Sequence, residues 1–140
     1  MKYLRSVLFV SLLAILFTAI GCAPKAPYGI VEIAGVATFN GKPLPKDFKI
    51  DFNPDDGKRS SSAIILADDG KFVASHTVSQ DGVPAGKCTV FVSWAGDIGT
   101  SPPAEYGPLF EKFGFGKEGM PVEISKPDKK FNLDFTTAKE

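Results

Sequence analysis

Few residues in this chain could do chemistry, and each has a competing structural use. The only histidine is His76, and an imidazole can serve as a general base near neutral pH. A Ser-His-Asp relay also needs a serine on a sharp turn and a carboxylate behind the ring. No serine sits in such a turn pattern, and His76 opens the polar run 76–80. An exposed histidine without a catalytic task is the expectation. Asp51, Asn53 and Asp55 have the one-apart spacing of an oxygen-ligand loop. In an EF-hand loop the sixth position is glycine and the twelfth a bidentate glutamate. Here those positions hold Asp56 and Ser62. Asp51 also alternates with Phe48, Ile50 and Phe52, which makes it the outward residue of a strand. Turn chemistry accounts for Asp55-Asp56-Gly57, Asp68-Asp69-Gly70 and Asp81-Gly82. No metal, no cofactor and no catalytic residue is therefore expected. Cys88 alternates with Val90 and Val92, the pattern of a small buried side chain; a reactive thiol would need exposure and a lowered pKa.

The richest candidate surface is the irregular segment 97–119. It carries Tyr106, Phe110, Phe113 and Phe115 among prolines and glycines. With Trp94 they could stack on sugar rings or grip a partner protein. Long ordered loops more often bury their own apolar side chains, so a lid over one end of the domain is the stronger expectation. Residues 104–113 have room for one or two helical turns.

Cys22 is the remaining chemical handle. Lys2 and Arg5 are followed by an uncharged, mostly apolar run over residues 6–20. As a helix those 15 residues span roughly 22 Å, short of the ~30 Å hydrocarbon core. Residues 1–21 read as a signal peptide. The run ends Thr18-Ala19-Ile20-Gly21-Cys22, which resembles a bacterial lipobox. Gly21 and Cys22 match; Ala19 stands where leucine is usual. The resemblance implies acylation of Cys22 and anchoring to membrane lipid, stable when more than one chain is attached. Ala23, in place of the aspartate that retains lipoproteins at the inner membrane, favours the outer membrane in a cell with two. Residues 22–29 then form the lipidated N-terminus and a proline-containing tether. Without Lys2 and Arg5 the chain has 14 basic against 16 acidic residues, which argues against nucleic acid as a partner.

The rest must position whatever works. Residues 30–39 alternate as a strand, and Asn40-Gly41 is a tight-turn signal. Phe48, Ile50 and Phe52 make a second strand. Residues 63–67 and 71–74 suggest a hairpin through Asp68-Asp69-Gly70. The turn-rich stretch 81–86 feeds a strand over 88–94, with Cys88, Val90, Val92 and Trp94 on one face. Residues 120–125 and 129–136 complete the set. About seven short strands and no long helix predict an all-β fold, a single antiparallel β-sandwich of transthyretin-like or immunoglobulin-like type over residues 30–136, with a tail at 137–140.

The order of motifs carries a family resemblance. Ile33-x-Gly35-x-Ala37-x-Phe39-Asn40-Gly41-Lys42-Pro43-Leu44, then Phe48-x-Ile50-x-Phe52-x-Pro54, then Asp69-Gly70-x-Phe72, then Asp81-Gly82-x-Pro84-x-Gly86-x-Cys88-x-Val90-x-Val92-x-Trp94, resembles the carboxypeptidase-regulatory-like, transthyretin-like envelope lipoproteins of bacteria. Cys88 stands where that family tends to carry an aromatic. The resemblance implies a small non-enzymatic β-sandwich of the cell envelope and carries over no catalytic or ligand residue. With the lipid anchor, the expected role is a structural or protein-interaction module, or alternatively a carbohydrate-binding module using the 97–119 aromatics. Transthyretin-like 5-hydroxyisourate hydrolases need several histidines and arginines, whereas the mature chain has His76 and Arg59 alone.

Overall fold

The computed structural model describes residues 28–137. The leader, Cys22, most of the tether and residues 138–140 lie outside the described residues. Within them, alternation dictates two sheets whose inner faces meet. The larger runs, in spatial order, β11 (Met120–Ile124), β10 (Gly86–Trp94), β4 (Phe48–Pro54), β5 (Ser61–Ile64), β7 (Ser75–Thr77) and β8 (Gln80–Asp81). Its backbone is β4 and β10, paired antiparallel with Phe52 opposite Val90 and Ile50 opposite Val92. The smaller sheet is built on β2 (Ala34–Phe39), flanked by β12 (Leu133–Phe135) on one side and by β3 (Lys42–Pro43) and β6 (Lys71–Val73) on the other. A two-strand clip, β1 (Ile30–Val31) with β9 (Val83–Pro84), closes one end.

The core is what the period-two pattern requires. Phe48, Ile50, Phe52, Cys88, Val90 and Val92 from the large sheet join Ala37, Phe39, Phe72, Leu133 and Phe135 from the small sheet, and Ile33 just before it, in one buried cluster. Burying each large side chain contributes about 1.5–3 kcal/mol. The all-β sandwich expected from the sequence is the fold observed.

Four local expectations change. Residues 30–39 are two strands: Ile33 bridges Asp128, and β1 departs to pair with β9. The hairpin over 63–67 and 71–74 does not form. β5 pairs with β4 while β6 pairs with β2, so the turn at residues 68–70 carries the chain between sheets. The polar run after Ser75 is strand, in β7 and β8. One pairing is parallel, β12 alongside β2 with Leu133 opposite Ala37. Asn40 (φ 49°) and Gly41 (φ 80°) close the β2–β3 hairpin as their dipeptide predicts.

Candidate functional site

The 97–119 aromatics fold over one end of the sandwich. A 3-10 turn (Ala104–Tyr106) leads into α1 (Gly107–Phe113), with Pro108 in its first turn where a missing N–H costs nothing. Phe48 is fully buried at the centre of this lid. Tyr106, Trp94 and Phe110 surround it at ring-centroid distances of 4.9, 5.3 and 5.6 Å. Phe113 is buried and packs edge-on against Phe135 at 5.1 Å. The expected ligand-contact set is thus not assembled as a surface. Trp94, Tyr106, Phe110 and Phe113 spend their faces on the core, because burial of an aromatic ring outweighs leaving it in water. Phe115 alone projects, 75% exposed, leaning on Phe91 at 5.7 Å.

His76 corrects a second expectation. It is 4% exposed, not a surface residue. Its Nδ1 lies 2.9 Å from Ser61 Oγ and its Nε2 3.2 Å from the Tyr28 hydroxyl. The Arg59 amide donates to that hydroxyl at 3.3 Å. A neutral ring is satisfied if the Tyr28 O–H donates to Nε2 and Nδ1–H donates to Ser61. Among the described residues no carboxylate touches the imidazole, and Ser61 is itself buried. Burial, then the nearby Arg59 charge, pushes the His76 pKa below its ordinary value. A buried neutral histidine contributes stability that is fully present above the unfolded-state pKa near 6.5 and is lost as pH falls through the lower folded-state pKa. The urea midpoint should therefore drop as pH is taken from 8 to 5, and a His76→Gln variant should show a flatter profile. Equal slopes in the two proteins would refute the assignment.

The acidic residues singled out by spacing diverge. Asp51 takes an ion pair from Lys49 (2.7 Å) and a hydrogen bond from Ser93 (2.9 Å), whereas Asp55 accepts from Thr89 (3.2 Å). Among the described residues no cluster of three histidine, cysteine or acidic side chains could hold a metal ion. Cys88 is buried as its alternation implies, and burial pushes its thiol up to about 12, with Asp55 adding to the effect. In a Cys22→Ser variant, Cys88 should resist a thiol-specific colour reagent until urea unfolds the chain. Prompt reaction in buffer would contradict the burial.

The feature that sequence reading missed is a groove of about 950 Å³ between β5 and β6 at the side of the sandwich. Ile64, Leu66 and Val73 line it while being 47%, 85% and 58% exposed. Its lip carries Lys71, Lys129 and Lys130, and Asp69 lies 2.9 Å from the Lys71 ammonium. That ammonium, by hydrogen bond, holds the Asp69 carboxyl below its usual range. The signal was present in the sequence. In the consecutive apolar run Ile64-Ile65-Leu66 alternation can bury only one face, and the structure buries Ile65.

Comparison of the chain with protein-family models, curated proteins and solved structures finds no match.

Proposed function

We propose that this chain is a lipid-anchored, non-enzymatic β-sandwich of the bacterial cell envelope that works as a structural or protein-interaction module, akin to the carboxypeptidase-regulatory-like, transthyretin-like lipoproteins. The carrying observation is the order Lys2/Arg5, a 15-residue apolar run, Gly21-Cys22, and a proline-containing tether directly before the first strand at Ile30. An acylated Cys22 would hold the domain at a membrane surface outside the cytoplasm, at the outer membrane where there are two. The family reading rests on the motif order from Ile33 to Trp94. The interaction role is supported by exposed Ile64, Leu66 and Val73 gathered on one groove, since clustered apolar exposure marks contact sites.

Metabolic labelling with an alkyne fatty acid tests the anchor. The wild-type chain should take up label and yield an intact mass matching residues 22–140 plus acyl groups, and Cys22→Ser should take up none. An unacylated mature N-terminus in the wild type would overturn the reading.

A glycan-binding role is the second reading, favoured by the exposed Phe115 beside Phe91. Saturable co-sedimentation with envelope polysaccharide or peptidoglycan, lost in Phe115→Ala, would support it. Equal sedimentation of the two proteins would remove it.

A further inference from the structure

The groove has a main-chain character as well as an apolar one. Ala37 N–H donates to Gly70 O (2.8 Å) and Ala74 N–H to Ile33 O (2.9 Å). Even-numbered residues of β6 therefore turn their amides toward β2, and those of Lys71 and Val73 point away from it. Lys71 N–H is taken up by Asp69 Oδ1 at 3.1 Å. Among the described residues no main-chain partner meets the Val73 amide and carbonyl. On the facing wall, Ile65 N–H donates to Phe48 O (2.8 Å), so the main chain of Ile64 likewise points away from β4. Val73 and Ile64 both line the groove.

We infer that the groove takes an extended peptide segment of another envelope protein, paired through main-chain hydrogen bonds to the open edge of β6, with apolar side chains at alternate positions and carboxylates between them. The inference rests on the interaction-module reading above. Strand addition uses the edge for affinity and the flanking apolar surface for selectivity; Ile64, Leu66 and Val73 supply that surface. The charge requirement comes from the lip. Lys71 is paired with Asp69, and Asp81, which accepts from Ser75 at 2.8 Å, keeps its charge, so the lining sets three lysines against two aspartates. Lys129 and Lys130 have no carboxylate within ion-pair distance among the described residues, so the surplus charge is positive. The chain's own tether is a poor occupant, because Pro24 and Pro27 lack the N–H a ladder needs.

The test screens a displayed library of random twelve-residue peptides against the full-length protein in detergent micelles. Enriched peptides should alternate aliphatic with acidic residues. A synthetic copy of one should bind saturably and protect the Val73 amide from hydrogen exchange. Binding should weaken about tenfold or more in Val73→Asp and in Leu66→Glu. Both positions are exposed, so each variant should keep the wild-type melting temperature. Methylating alternate peptide nitrogens on the pairing edge should abolish binding. No enrichment, undiminished binding by both variants, or indifference to N-methylation overturns the inference. So does a wild-type dimer in sedimentation that Val73→Asp dissolves, which would give the groove to a second copy of this chain. Any of these results with fatty-acid labelling of Cys22 intact leaves the lipid-anchored reading standing, and crosslinking to an envelope protein that survives in Val73→Asp leaves the interaction role standing at another surface.

Discussion

Truncating Phe48 to alanine should destabilise the domain by about 3–5 kcal/mol. The ring is fully buried, and three aromatic side chains from two separate segments converge on it: Trp94 from the end of β10, and Tyr106 and Phe110 from the lid. Removing it costs the transfer energy of the ring and opens a cavity that the short α1 helix cannot fill, since Leu109 and Phe113 already fix that helix to the core. Urea unfolding would measure the loss. The chain's single tryptophan, Trp94, packs edge-on against Phe48, so its emission should also shift to the red in the folded variant. Phe115→Ala is the matched control, at 75% exposure expected to fall within about 0.5 kcal/mol of wild type. A loss below about 1 kcal/mol at Phe48 would mean that the lid collapses into the space.

The second large effect is expected at Gly35. A methyl group there would drive into the backbone carbonyl of Phe131. Backbone cannot swing aside as a side chain can, so the segment entering β12 must move. Moving it strains the Phe131 N–H bond to Ala34 O (2.9 Å). Overpacking together with that weakened bond should cost about 3 kcal/mol in Gly35→Ala. Gly29→Ala, with nothing within 4 Å of the new methyl, should unfold at the wild-type urea concentration. Equal stability of the two variants would show that residues 129–131 yield freely.

What was legible in the sequence was local alternation, and what was hidden was partnership. β4 and β10 could be read because Phe48-Ile50-Phe52 and Cys88-Val90-Val92 each repeat at period two, and those faces are buried as expected. Which strand pairs with which is set by contacts across the chain. The apparent hairpin over 63–74 therefore came apart into two sheets once Phe72 found Gly35. His76 was misread for a related reason. Polarity around it suggested exposure, yet the chain turns at residues 78–79 and leaves Val78 in solvent while His76 faces inward. The groups that make a buried imidazole tolerable, Ser61 and Tyr28, lie 15 and 48 residues away. Of the aromatic candidates, the lid expectation described Tyr106, Phe110 and Phe113 correctly, because consecutive turns of a short helix next to an open sandwich end have only one dry surface to meet. The groove stayed unseen because the run Ile64-Ile65-Leu66 shows that one apolar face is left over, but not which strand lies across from it.

The parallel contact between β2 and β12 also sets an order of events in time. Ala37 meets Leu133, a separation of 96 residues, and Thr38 Oγ1 donates to Asp134 across the same gap at 2.7 Å. Of the described strands, β2 is among the first to leave any machine that makes or moves the chain from its N-terminus, and β12 follows all the others. Until residue 133 emerges, one edge of β2 has no neighbour and the inner face of the small sheet lacks Leu133 and Phe135. Closing so distant a pair is slow compared with forming a local hairpin. The sandwich therefore cannot finish folding piecemeal during delivery. It remains threadable for as long as β12 is still to come, and becomes a closed body only when that strand arrives.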